Sequence, residues 1–349
     1  MKSKFKKLRI RAAFATVICI AIVMASCTKE NQSEQSPTNH QDQIRLVTLS
    51  DGFKSGITML EFSSIQHYEA TIASLENQLE QHEDAFLADW ESLADEALND
   101  KEIEVGFVDH QPLIDFENYY NIPVTLRQVY VTAEALWLNN EVLDLATFPR
   151  SKFPFGVAEM TLLNGGGEVK IGDKIIKVTE RGFVEISNLD IATLIRIDNG
   201  DETAYNETTV MTNIDLDGGD KGSCTNWKGK DFPYTYNNDS RKVIKHVHFH
   251  SYPWKGVGSA EITSYKKEGN KWKKYRMDLG VAVQTYFRDV NCNPGAAQCW
   301  SDWKFKKRRS IEENCPDWSA YPQYRAENGK SIYGHFKYAG YTDVNVLTW

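Results

Sequence analysis

The stretch KVIKHVHFH at residues 242–250 alternates apolar side chains with lysines and histidines over most of its length. A period of two is the pattern of a β-strand that buries one face. Three segments of similar composition follow at residues 259–265, 271–277 and 281–290, and Glu268-Gly269-Asn270 joins the middle pair as a hairpin. A series of strands without helical spacing predicts a mainly antiparallel, β-sandwich-like domain in the C-terminal part of the chain.

Upstream of this series the apolar spacing changes to three and four residues. The pattern begins after a possible N-cap at Ser63 or Ser64 and resumes at residues 86–97, and a second helical pattern covers residues 126–143. One long helix, or two helices separated near residues 80–83, would give the same spacing. Short strands are expected at residues 157–163, 169–171, 174–179 and 183–186, so the whole chain is predicted to be α+β.

Charge divides the chain at about the same place. Residues 28–220 carry 12 basic and 36 acidic side chains, whereas residues 221–349 carry 22 basic and 12 acidic ones. We therefore predict an acidic α+β domain at residues 43–212, a linker at 213–223 and a basic, aromatic-rich β domain at 224–349. Opposite fields favour docking of the two parts on each other, without any outside partner.

The N-terminus has the form of a bacterial lipoprotein signal. Six basic residues precede an apolar run at residues 12–25, which ends in Ala25-Ser26-Cys27. We expect a signal peptide at residues 1–26, lipidation (including a palmitate-type chain) at Cys27 and a flexible tether at residues 27–42. An ordinary secretory signal or an uncleaved anchor is the alternative. The prediction is an outer-membrane lipoprotein whose membrane contact is made through the lipid, and display at the cell surface is favoured over a periplasmic location.

Four of the six cysteines remain after Cys19 in the signal and Cys27 are set aside. Cys224, Cys292, Cys299 and Cys315 all lie in the basic half, and an even number in an exported chain indicates two disulfide bonds. Three pairings are open. The small loop between Cys292 and Cys299 favours that pair, which leaves Cys224 for Cys315. A structural zinc site is disfavoured because no CxxC pair is present.

Two groups of residues have the composition of a metal site. His246, His248 and His250 lie on one face of the predicted strand, where a half-exposed polar face is the alternative reading. Asn213, Asp215 and Asp217 resemble the start of a calcium loop, but Cys224 stands where such a loop needs glutamate. The strand histidines would support a metal-dependent hydrolase. No nucleophile or phosphate-loop motif is present, no catalytic residue or cofactor is predicted, and binding is favoured over catalysis.

Tryptophan is concentrated in the basic half, which holds seven of the nine. We predict that Trp254, Trp272, Trp300 and Trp303, which lie near turns or the cysteine loop, stack on a ligand such as a glycan. The run Lys304-Phe305-Lys306-Lys307-Arg308-Arg309 suits nucleic acid by composition, but the predicted location excludes that partner. Acidic polysaccharide, lipid headgroups and the protein's own acidic half are the remaining partners, and the last is favoured.

The segment LLNGGGEVKIGDKIIKV at residues 162–178 resembles uncharacterised lipoproteins of the Bacteroidetes, which combine a helical segment, this hairpin and a variable domain. Thr28-Lys29-Glu30 is similar to the export tag of their surface lipoproteins. The basic half, with Gly334-His335-Phe336 near its end, is similar to their C-terminal regions. The resemblance implies an outer-membrane location and no catalytic residues. The function predicted is ligand binding, with a glycan or polysaccharide as the ligand; a structural or adhesion component of the envelope is the alternative.

Overall fold

The computed structural model describes residues 43–50, 56–140, 143–151, 153, 155–179, 182–210, 227–288, 297–317, 325–326 and 332–347. The predicted signal peptide, Cys27, the tether and the linker at 213–223 lie outside these residues, so those predictions stand as predictions. Residues Gln41–Trp349 belong to one compact unit. No helix in the described part of the chain is long and apolar enough to cross a membrane.

The N-terminal half contains six helices, six strands and several 3-10 turns within the described residues. The helices are α1 (Ile65–Trp90), α2 (Asp95–Val105), α3 (Gln111–Tyr120), α4 (Leu126–Leu138), α5 (Val157–Leu162) and α6 (Ile191–Asp198). The strands are β1 (Arg45–Leu49), β2 (Ile57–Phe62), β3 (Glu168–Ile171), β4 (Lys174–Thr179), β5 (Gly182–Ile186) and β6 (Thr209–Val210). They form one sheet in the order of the chain, antiparallel except where β2 runs parallel to β3. The 3-10 turns are Leu145–Thr147, Pro149–Ser151, Ser187–Leu189 and Glu202–Glu207.

Local chemistry explains where these helices begin and end. The Ser64 hydroxyl accepts a hydrogen bond from the His67 amide at the start of α1, and Thr125 caps α4 in the same way. Helix α1 is continuous across residues 80–83, and the break between helices falls at residues 91–94 instead. Helix α2 ends at Gly106, whose φ of +66° closes the last turn.

The strand predicted at residues 157–163 is wrong, because this segment forms helix α5. Every residue from Ala158 to Leu162 is buried. The segment therefore lacks the spacing of exposed and buried side chains by which a helix is told from a strand. Helices α3 and α6 are further elements that the apolar spacing did not indicate. The predicted strands at residues 169–171, 174–179 and 183–186 are present as β3, β4 and β5.

The C-terminal half is a sandwich of two mainly antiparallel sheets, as predicted. The inner sheet has the order β10-β9-β8-β7, and β14 pairs with the first part of β9 on the same side as β10. Its strands are β7 (Trp227–Tyr236), β8 (Arg241–Ser251), β9 (Gly256–Glu268), β10 (Lys271–Lys274) and β14 (Ser310–Asp317). The outer sheet has the order β12-β11-β16-β17, with β13 and β15 also paired to β11. Its strands are β11 (Met277–Arg288), β12 (Ala297–Trp300), β13 (Lys304–Arg308), β15 (Arg325–Ala326), β16 (Ile332–Tyr338) and β17 (Tyr341–Leu347).

The sandwich core lies between these two sheets. Val247 and Phe249 of β8 pack there with Val281 of β11 and Phe336 of β16. The opposite face of the inner sheet packs against the N-terminal half, where Ile244 and Trp272 share a buried cluster with Trp137. Burial of large apolar side chains at this contact stabilises the two halves as one body.

A disulfide bond joins Cys299 of β12 to Cys315 of β14, with their Cα atoms 5.8 Å apart. The expected pairing of Cys292 with Cys299, and of Cys224 with Cys315, is therefore wrong. The two bonded strands belong to different sheets, so the stacking of the sheets, and not the short loop, brings the sulfurs together. Cys224 and Cys292 themselves lie outside the described residues.

Candidate ligand-binding surface

The basic run at residues 304–309 is bound by the protein's own acidic helices. Lys306 Nζ lies 2.7 Å from Glu80 of α1, and Arg308 Nη2 donates to Asp84 Oδ1 at 2.5 Å. Arg309 donates to Glu102 of α2, with an Nη2 to Oε2 distance of 2.8 Å. These contacts confirm that the acidic half is the partner of this run, as the charge division indicated.

Arg276 lies at the centre of this contact. Its side chain is fully buried and donates to Glu83 Oε2 at 2.7 Å and to Glu102. Asn99 of α2 holds the Arg276 backbone through two hydrogen bonds of 2.9 Å, one to the carbonyl oxygen and one from the amide. A buried guanidinium that binds two carboxylates fixes how the halves dock, because a shifted arrangement would leave buried charge without a partner.

The three strand histidines are buried as well. His246, His248 and His250 stack in a row, with ring centroids 4.9 Å and 5.3 Å apart, beneath the N-terminal half. The half-exposed strand face expected for them is therefore wrong, since none is more than 4% exposed. At one end of the row His246 Nδ1 lies 2.6 Å from Asp231 Oδ1, and at the other His250 Nε2 lies 3.0 Å from the Tyr252 hydroxyl.

This arrangement does not form a metal centre. The rings stack side by side instead of pointing to a common centre. Within the described ranges, no group of three or more histidine, cysteine, aspartate or glutamate side chains is placed to hold a metal ion. Asn213, Asp215 and Asp217 lie outside those ranges. The structure therefore gives no support to a hydrolase based on His246, His248 and His250.

Buried carboxylates surround a polar cleft of about 600 Å³ between α1 and β14. Arg150 binds Glu261 at 2.5 Å and Glu312 at 2.7 Å near this cleft. Burial raises the pKa of Glu312, and repulsion by Glu261 adds to the shift despite the nearby Arg150. Burial and Glu312 raise the pKa of Glu76, at the cleft wall, to about 7. The cleft is thus lined by groups that largely neutralise one another.

The four candidate tryptophans divide into two pairs. Trp272 is buried in the cluster with Trp137, and Trp254 is partly buried, with its indole N–H donating to Glu69 Oε1 at 2.7 Å. Trp300 and Trp303, in contrast, are 63% and 37% exposed. Only Trp300 and Trp303 offer ring area to a ligand, so Trp254 and Trp272 are structural.

The exposed pair belongs to a larger surface, which we call the aromatic strip: Trp300, Trp303, Phe305, His335 and Lys337. Trp300 stacks with His335 at 5.8 Å between centroids and 16° between planes, and Trp303 stacks with Phe305 at 5.4 Å and 13°. Lys337 Nζ lies 4.6 Å from the Trp303 ring centroid and 5.1 Å from that of Phe305. The strip therefore combines two nearly parallel ring pairs with one ammonium group.

Strand β11 forms the floor of this strip. Gly280 pairs with Phe305 on one side and Lys337 on the other, Ala282 pairs with His335, and Gln284 pairs with Trp300. A Cβ atom at Gly280 would lie 2.6 Å from Phe305 Cε1, far closer than packed carbon atoms approach. Gly280 and Ala282 thus leave space above β11, and the side chains of Phe305, His335 and Lys337 on the paired strands occupy it.

A groove of about 710 Å³ continues from the strip toward α1. Phe305, Lys337 and Tyr341 line the side formed by the outer sheet, and Leu87 and Glu91 line the side formed by the helix. Asp278 adds a solvent-exposed carboxylate at the groove. An extended ligand that lies on the rings can therefore continue into this groove, where polar side chains can form hydrogen bonds with it.

Sequence reasoning identified Trp300 and Trp303 but not the other members of the strip. In the sequence, Phe305 is assigned to the basic run and His335 to the C-terminal similarity, and no role is assigned to Lys337. The alternation of Trp303 with Phe305, and of His335 with Lys337, was the available signal, because residues two apart on a strand share a face.

Comparison with known proteins adds little to this description. No protein-family model matches the chain, and no curated protein matches it. A solved structure of a DUF4848 family protein from Bacteroides thetaiotaomicron is a weak structural neighbour, with a TM-score of 0.20 and 11% sequence identity over 87% of this chain and 100% of that chain.

Proposed function

We propose that this protein is a lipoprotein anchored at the bacterial surface through Cys27, and that it binds a glycan on the aromatic strip. The observation that carries the binding proposal is the exposed, stacked arrangement of Trp300, Trp303 and Phe305 on the outer sheet. The signal sequence at residues 1–27 supports the location, and the Cys299–Cys315 disulfide suits a compartment outside the cytoplasm.

The chemistry of sugars fits this surface. One face of a pyranose ring carries several C–H groups, which pack on an aromatic plane, while its hydroxyl groups lie at the rim. Asp278 lies on β11, the floor of the strip, and its exposed carboxylate can bond such hydroxyl groups. Because Trp300 and Phe305 lie on strands that pair with β11, little of their freedom is lost when a ligand binds, and this favours affinity.

The test is a glycan array probed with the full mature protein, purified in detergent. We expect binding to at least one extended glycan, and at least tenfold weaker binding by Trp300→Ala and by Trp303→Ala. Trp254→Phe is the matched control, because this tryptophan lies away from the strip and its variant should bind like wild type. Absence of any glycan ligand, or equal binding by the strip variants, would overturn the proposal. Capture of a stable protein partner alone would favour an adhesion component.

The location has its own test. Lipid labelling with a palmitate analogue should mark the wild-type protein and leave the Cys27→Ser variant unmarked. Protease added to intact cells should degrade the wild-type protein if it is displayed at the surface. Labelling that survives the substitution would overturn lipidation at Cys27, and full protection from protease would overturn surface display.

A further inference from the structure

We infer that the aromatic strip selects a glycan that carries an anionic group, recognised by Lys337. This inference rests on the proposed function, since it names the class of sugar that the strip takes. The observation that carries it is the position of the Lys337 ammonium beside two exposed rings, 4.6 Å from the Trp303 centroid and 5.1 Å from that of Phe305.

Lys337 differs from the basic residues of β13, the strand on the other side of β11. Lys306, Lys307, Arg308 and Arg309 each have carboxylate partners on α1, α2 or the loop that follows α2. Lys337, by contrast, has no ion pair with any carboxylate in the part of the chain that the structure describes. Its contacts are the faces of Trp303 and Phe305, and such cation–π contacts at exposed sites contribute only about 0.5–1 kcal/mol.

The remaining members of the strip do not supply a competing charge. Burial lowers the pKa of His335, so this imidazole is neutral at pH 7. The other three members are apolar or indole rings. A carboxylate or sulfate on a sugar that lies across Trp303 and Phe305 would meet the Lys337 ammonium directly, and a charge-assisted hydrogen bond is about twice as strong as a neutral one.

The groove carboxylate on β11, Asp278, has a different role in this arrangement. Asp278 lies two residues from Gly280 along β11, so it is displaced from Lys337 along the strip. A carboxylate accepts hydrogen bonds from sugar hydroxyl groups and repels anionic substituents. The strip thus has a position for an anionic group at Lys337 and a position for hydroxyl groups toward Asp278.

The experiment compares charged and neutral forms of one polymer. Binding of the full mature protein to polygalacturonate and to its fully methyl-esterified form is measured at low and at moderate salt, with dextran sulfate as a third probe. We expect at least tenfold tighter binding to one or both anionic polymers than to the ester, and weaker binding of the anionic polymers at higher salt. The two anionic probes distinguish a carboxylate from a sulfate.

Lys337→Gln should remove this preference, so that its affinities for the charged polymers and for the neutral ester agree within about twofold, because the charge that distinguishes them is gone. Lys271→Gln, an exposed lysine on the inner sheet, is the matched control for net charge and should retain the preference. Equal binding of the charged and neutral polymers by the wild-type protein, or a preference that survives Lys337→Gln, overturns this inference and leaves glycan binding intact. Failure to bind these polymers and every glycan on the array overturns the proposed function as well.

Discussion

The C-terminal half presents two surfaces of similar composition but different surroundings. The surface that meets the N-terminal half places basic side chains against carboxylates and buries Trp272. The aromatic strip leaves Trp300 exposed and Lys337 without a carboxylate partner among the described residues. Tryptophan and lysine are thus structural on one surface and available to a ligand on the other. Their role follows from what covers them, and residue type alone does not show it.

Strand β13 shows the same difference within five residues. Lys306 and Arg308 reach α1, whereas Phe305, which directly precedes Lys306, belongs to the aromatic strip. The period of a strand sends neighbours to opposite faces, so one short segment serves both surfaces. The comparison therefore predicts that substitutions on one surface change stability and that substitutions on the other change binding.

The largest effect is expected from Arg276→Met. The change leaves the carboxylates of Glu83 and Glu102 buried without their guanidinium, and loss of one partner of a buried ion pair costs about 3–5 kcal/mol. Chemical denaturation measures the loss in the free energy of unfolding. Lys306→Met, which removes a partly exposed ion pair, is the control and should cost less than about 1 kcal/mol. Equal losses of unfolding free energy in the two variants would show that the buried ion pairs of Arg276 contribute no more than the partly exposed pair of Lys306.

A pair of tryptophan substitutions separates the surfaces directly. Trp272→Ala removes a buried ring and should lower the free energy of unfolding by about 3–4 kcal/mol. Trp300→Ala removes a ring that is mostly exposed, and its cost should lie within about 0.5 kcal/mol of zero. Thermal or chemical unfolding of both variants checks this order. A destabilised Trp300→Ala variant would mean that this ring supports the fold.

The buried contact should also respond to pH through Glu159, which accepts hydrogen bonds from Tyr68 and Tyr252. Burial raises the pKa of Glu159 to about 7, so the folded protein holds a proton there that the unfolded chain releases near its ordinary value of 4.5. Its contribution to stability is therefore full below about pH 4.5 and is lost as the pH rises through 7.

The test of Glu159 is the Glu159→Gln variant, since glutamine stands for the protonated carboxyl group. Relative to wild type, this variant should gain about 2 kcal/mol in the free energy of unfolding between pH 5 and pH 8. Comparing variant with wild type at each pH removes the contributions of other groups, such as His110, whose pKa is lowered by burial. A difference that does not change with pH would contradict the raised pKa of Glu159.

A smaller effect is expected from Gly280→Ala beneath the strip. The added methyl group would lie 2.6 Å from Phe305 Cε1, so the ring must move, at a cost of about 1 kcal/mol. Glycan affinity should fall several-fold, because the stacking of Phe305 on Trp303 is disturbed. Adding Phe305→Leu should recover part of the stability but not the affinity. An unchanged glycan affinity in the Gly280→Ala variant would show that Phe305 is not part of the binding surface.

Much of the fold follows from local pattern. Strand alternation around Val247 and the helical spacing after Ser64 predicted their elements, and the charge division predicted the contact of the basic run with the acidic helices. Helix α5 escaped prediction because a segment that is buried on all sides has no period. The Cys299–Cys315 bond escaped because it depends on how two sheets stack, which cysteine spacing does not encode.

The candidate site was predictable only in part, for a related reason. The aromatic strip combines residues of β13 and β16, brought together by their pairing with opposite sides of β11. Sequence separation between Phe305 and Lys337 hides this contact, and tryptophan content alone did not distinguish exposed Trp300 from buried Trp272. The register of β11 is the missing information for the first, and the packing of the inner sheet on the N-terminal half is the missing information for the second.

Strand β13 also determines how a pulling force would pass through the molecule. A polymer held on Phe305 pulls on a strand whose other face is tied to α1 by the ion pairs of Lys306 and Arg308, while the disulfide at Cys299 ties the adjoining strand β12 to the inner sheet. The ion pairs and the disulfide then carry the load together, so they are not broken one after another. If the proposed lipid anchor and glycan site are correct, we expect this arrangement to slow detachment of a bound polymer under force.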